Sequence, residues 1–64
     1  MEIYIERENK KINMKFKGKV IDLLKKLNLN SVEVLVVKGE DLLNDDDFLN
    51  DKDNVKIMSV VSGG

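Results

Sequence analysis

The residues best suited to chemistry stand at the end of the chain: Gly63 and Gly64, preceded by Ser62, a small residue that reads as a surface serine of the tail and not as a reacting group. A carboxylate carried on backbone without side chains has the shape needed to thread a narrow protein channel and react at its far end. Glycine serves where backbone must come close to something else. The opposing reading is a frayed end with no role, since chain termini are commonly disordered. Little else competes for a reactive role. There is no Cys and no His, which removes disulfides, thiolate nucleophiles, cysteine metal sites and imidazole acid–base groups. The acidic run Asn44-Asp45-Asp46-Asp47, with Asp51 and Asp53 beyond it, lacks the glycine and closing Glu of a calcium-binding EF-hand loop. It reads as a solvated loop, and no metal site is expected.

A small domain has to position that end. The chain has 64 residues, so the expectation is a single domain over 1–64, with 62–64 as a flexible reactive tail. A domain of this size buries only about 60% of the surface its unfolded chain exposes. There is little room for a deep substrate pocket, and any catalysis would sit in a partner. Lys plus Arg number 11 and Asp plus Glu 12, a formal net charge of −1. That balance lacks the basic excess of a nucleic-acid binder. Half of the Lys11, Lys15, Lys17 and Lys19 stretch is the solvent face of a strand. The longest apolar run, Val34 to Val37, falls far short of the ~20 residues that span a bilayer. No long apolar stretch follows a basic start, so no signal peptide is expected. A soluble, cytoplasmic protein with no direct nucleic-acid or membrane partner is expected.

The hydrophobic pattern predicts the elements. Ile3 and Ile5 alternate with Glu2, Tyr4 and Glu6, the period-two signature of a half-buried strand. Arg7-Glu8-Asn9-Lys10 reads as a turn, and Ile12, Met14 and Phe16 resume the alternation, giving an antiparallel hairpin. At Gly18 the period becomes 3.6: Val20, Leu23, Leu24 and Leu27 share one helical face. Asp22 in the first turn and Lys25 and Lys26 in the last suit the helix dipole. Lys19 is a poor N-cap, and Asn28 suits a left-handed terminus. Val32 to Lys38 is apolar on both parities and predicts an interior strand, ended by Lys38-Gly39. Glu40 to Leu43 predicts a short edge strand, and Phe48 and Leu49 a turn tucked under the sheet. Asp51-Lys52-Asp53-Asn54 predicts a turn before a last strand from Val55 to about Val61. One helix across one face of a mixed sheet of four to five strands is the α+β packing expected. The last strand then lies parallel to the first in mid-sheet and carries its end outward.

Three stretches tie this order to a family. Asp51-Lys52-Asp53-Asn54 through Val60-Val61-Ser62-Gly63-Gly64 matches an Asp-Gly-Asp-like turn, an alternating strand and a small residue before Gly-Gly. Val20-Ile21-Asp22-Leu23-Leu24-Lys25-Lys26-Leu27 matches a Val-x-x-Leu-Leu-x-x-Leu helix. Val36-Val37-Lys38-Gly39 matches an apolar pair before Asn-Gly. Over essentially its whole length the chain resembles the β-grasp sulfur carriers and ubiquitin-like modifiers, among them the thiazole-synthesis sulfur carrier, the small subunit of molybdopterin synthase and the small archaeal modifiers. Lys52 stands where the family often has Gly, and Lys38 where it has Asn.

The resemblance implies a carrier rather than an enzyme. A ubiquitin-activating-type partner would thread the tail toward its own ATP and Mg²⁺, so that the chain itself binds no cofactor. Gly64 would be adenylated there. A persulfide donor would then convert it to a thiocarboxylate, for delivery to a sulfur-accepting synthase or to tRNA thiolation. Alternatively, a target-protein lysine would take Gly64 in an isopeptide bond. Thiazole, molybdopterin and thiolated tRNA all remain open as destinations. So do two other readings: a non-covalent interaction module, and a fixed subunit of a synthase. Strand parity predicts an exposed apolar patch for partner binding. Val55 and Ile57 face the helix, leaving Met58 and Val60 outward beside Tyr4, and Leu35 and Val37 are assigned to the core, leaving Val36 outside. Tyr4, Val36, Met58, Val60 and Val61 form the expected partner surface, an apolar patch of the kind that marks interfaces.

Overall fold

The computed structural model describes residues 1–60. Val61, Ser62, Gly63 and Gly64 lie outside the described residues. Strand β1 (Glu2–Ile5) runs into a 3₁₀ turn at Glu6–Glu8, and β2 (Lys10–Asn13) returns antiparallel to it. Asn9 closes that turn at φ 48°, a left-handed conformation that Asn tolerates better than most residues. Met14 and Phe16 lie beyond the end of β2, yet Phe16 is still buried, carried inward by the connecting loop.

Two residues, β3 (Gly18–Lys19), lead directly into helix α1 (Val20–Lys26). Lys19 makes no side-chain cap. Instead, the first amides of α1 are satisfied by the acidic loop: Val20 N–H donates to the Asp47 carbonyl at 2.9 Å and Ile21 N–H to the Asp45 carbonyl at 3.1 Å. Buried helix termini need such partners. At the other end Asn28 adopts φ 59°, as its residue type suggests.

Strand β4 (Val34–Lys38) turns through Gly39 and Glu40 into β5 (Asp41–Leu43). Gly39 has φ 63°, and the first position of a tight two-residue hairpin loop is where such a value favours glycine. Strand β6 (Phe48–Leu49) pairs with β3 in a separate two-stranded ribbon. Leu49 is fully buried, as expected of a tucked turn, but Phe48 is 55% exposed. Two neighbours on one strand point to opposite faces, so only one of the pair can enter the core.

The last strand, β7 (Asn54–Ser59), lies between β1 and β4, parallel to the first and antiparallel to the second. The main sheet has the order β2-β1-β7-β4-β5. Its inner face and α1 enclose Ile3, Leu23, Leu24 and Ile57, each almost wholly removed from solvent.

One expected assignment is reversed. Val36, placed outside by parity, is 3% exposed, whereas Leu35 is 39% exposed. Register explains it: Val36 pairs with Ile57 and Leu35 with Met58. Directly opposed residues share a face, so Val36 must follow Ile57 into the core. Strand β4 also begins at Val34 rather than Val32, which is 77% exposed.

The two Asp-rich segments have structural duties. In Asn44–Asp47 the Asp47 carboxylate accepts the Asn44 N–H at 2.7 Å, while Asp47 N–H donates to the Asn44 carbonyl at 3.0 Å. Asn50–Asp53 repeats the arrangement at 2.8 and 2.9 Å. Asp51 between them accepts the Phe16 N–H at 2.9 Å and lies 3.7 Å from the Met1 ammonium. That ammonium also donates to the Met14 carbonyl at 2.8 Å. Among the described residues no group of three or more carboxylates is arranged to hold a metal ion.

Candidate functional site: the outer sheet face and the root of the tail

The site begins with β7. Val55 and Ile57 point inward and are buried, so Lys56 and Met58 must point outward. Tyr4 faces Lys56 across the parallel ladder, and Val37 faces it across the antiparallel one. Leu35 faces Met58. Leu42 faces Val37 from β5 and is 60% exposed. A band of Tyr4, Met58, Leu35, Val37 and Leu42 therefore crosses four strands on the side away from α1.

Tyr4, Met58 and Val60 stand where the sequence places them. Val36 does not, since it belongs to the core; Val61, Ser62, Gly63 and Gly64 fall outside the described residues. Parity alone missed Leu35, because a strand apolar on both sides carries no parity signal. Leu42, on an edge strand, showed only as an apolar residue in an acidic context.

Polar contacts hold the band in place. The Tyr4 hydroxyl donates to Asn9 Oδ1 at 2.8 Å. Lys56, in the middle of the band, is held by Glu6 at 3.0 Å, with both side chains about half exposed. Such an exposed pair contributes at most about 1 kcal/mol to stability. It does fix where the charge sits among the apolar groups.

The root of the tail is also fixed. Val60 lies beyond the last paired residue of β7, and its N–H donates to the Glu33 carbonyl at 2.9 Å. Val60 is thus held in place at the end of β7, beside the segment that leads into β4.

A mixed five-stranded sheet, with its first and last strands parallel at the centre and one helix across one face, is the β-grasp fold. No family model matches the chain. It is 33% identical over 57 residues to the sulfur carrier protein TtuB of Thermus thermophilus, an alignment that covers 89% of this chain and 88% of that protein. The chain belongs to the β-grasp sulfur carrier family.

Proposed function

We propose that the protein carries sulfur on the Gly64 carboxyl group as a thiocarboxylate. The observation that carries this reading is the 33% identity to a sulfur carrier over most of both chains, and the hold on Val60 at the end of β7 accords with it.

The chemistry needs activation because a carboxylate repels nucleophiles and has no good leaving group. A Gly64 carboxylate oxygen attacks the α-phosphorus of ATP in a ubiquitin-activating-type enzyme. The bond to the bridging oxygen breaks and magnesium-bound pyrophosphate leaves. A persulfide sulfur then attacks the acyl carbon and displaces AMP, giving an acyl disulfide. Reduction of that disulfide by a thiol releases the thiocarboxylate, which is passed to a sulfur-accepting enzyme. Gly63 and Gly64 suit the channel because they have no Cβ.

The outer band serves as the docking face in this reading. Tyr4, Met58 and Val60, with Leu35 in place of Val36, offer apolar contact around the positioned Lys56 charge. A protein modifier joined through Gly64 to target lysines would pass through the same adenylate. Intact-mass measurement on protein from its own cell separates the two. Exchange of one oxygen for sulfur at the C-terminus is the expected result. A Gly-Gly remnant on lysines of other proteins, with no sulfur exchange, would replace the carrier reading with the modifier.

A further inference from the structure

A cleft of about 300 Å³ opens at Ile57 and Ser59 on the inner side of β7. Ile5, Leu29, Val34 and Ile57 line it with apolar surface. Asn30 and Ser59 add neutral polar groups, and its charged lining comes from two directions. Arg7 and Glu8 belong to the 3₁₀ turn after β1, and Glu33 to the segment before β4. Because β7 lies between β1 and β4, Glu8 and Glu33, both exposed, stand on opposite flanks of it. Among the described residues neither Glu8, Glu33 nor Arg7 takes part in an ion pair. The rim is therefore net acidic over an apolar floor.

We propose that this cleft is a socket for one arginine side chain of the protein partner that engages the root of the tail. The inference rests on the carrier reading for its partner and on the cleft for its chemistry. The volume lies at the small end of ligand sites, enough for a single long side chain. A long cationic side chain can lay its methylenes along apolar surface while its head reaches a polar rim. Guanidinium suits such a place better than ammonium, being planar, more weakly hydrated and able to bond two carboxylates at once. Arg7 is the competing charge, and it has to turn outward when the socket fills. Since the Glu33 carbonyl holds Val60, an arginine gripped by the Glu33 carboxylate sits close to the last described residue of the chain.

The test is an amide-shift titration of the full chain with n-butylguanidinium, with n-butanol and guanidinium as controls. Saturable shifts at Ile5, Val34 and Ile57 are expected from n-butylguanidinium alone. Glu8→Gln and Glu33→Gln should each weaken binding by about threefold, the scale of an exposed ion pair, and Arg7→Gln should strengthen it. The socket is overturned if n-butanol gives the same shifts, if neither Gln variant weakens binding, or if the shifts map to Asp45–Asp47 instead. In ATP–pyrophosphate exchange by the organism's own activating enzyme, Glu33→Gln should raise the KM for this chain and leave kcat alone. An unchanged KM removes that enzyme as the source of the arginine. No exchange with the unaltered chain would sink the carrier reading alone, because the titration needs no enzyme.

Discussion

The Val60 amide and the Glu33 carbonyl meet at 2.9 Å, one residue beyond the end of β7 and one before the start of β4. The contact extends the antiparallel ladder past the last regular pair, Val34 with Ser59. The chain is thereby tied to the body of the domain as far as Val60. In the carrier reading, the division between fold and reactive arm falls at this bond.

Gly63→Leu should abolish ATP–pyrophosphate exchange by the activating enzyme while leaving far-ultraviolet circular dichroism and the urea midpoint unchanged. In the carrier reading, a leucine side chain would jam a channel that admits bare backbone. Normal exchange by the variant would remove the threading step from the mechanism.

The reversed assignment on β4 separates stability from binding. Val36→Ala should destabilise the fold by about 2 kcal/mol, through lost burial and the cavity left behind. Leu35→Ala should change stability by no more than about 0.5 kcal/mol, as partly exposed positions generally do. Urea unfolding distinguishes them, and the opposite ranking would mean that the register with Ile57 and Met58 is wrong.

Met58→Asp should weaken association with the activating enzyme by at least about tenfold, since a carboxylate forced into an apolar contact loses its hydration. The fold should survive, because Met58 faces away from α1. Isothermal titration against that enzyme reads the effect, and undiminished affinity would move the docking face elsewhere.

Asp51→Ala removes the acceptor of the Phe16 N–H and the neighbour of the Met1 ammonium. A loss of about 1–2 kcal/mol is expected, the cost of leaving a partly buried donor unmet. Asp51→Asn keeps a side-chain oxygen and should cost less. Equal losses in the two variants would show that charge rather than the hydrogen bond matters.

Much of this was legible in the residues. The helix announced itself because Val20, Leu23, Leu24 and Leu27 recur with one period, and because Asn28 suits its end. β1 and β7 alternate cleanly, so Ile3, Ile5, Val55 and Ile57 were assignable to the core and Tyr4 and Met58 to the opposite face. Val34-Leu35-Val36-Val37 carries no such information: every position is apolar, and only pairing with β7 decides which pair is covered. Cross-strand register is a property of two segments, so it cannot be read from either one. The paired Asn-x-x-Asp turns were visible as Asn44 with Asp47 and Asn50 with Asp53, but the acidic run drew attention to charge instead of spacing. The cap on α1 was hidden for a different reason. Its acceptors are backbone carbonyls of Asp45 and Asp47, and side-chain identity does not advertise them.

The central place of β7 has a mechanical consequence. A pull applied at Val60 along the axis of β7 loads both flanking ladders along their length, so their hydrogen bonds must yield together rather than unzip in turn. In the carrier reading, an activating enzyme could therefore draw hard on the C-terminus while the body stays whole as a handle.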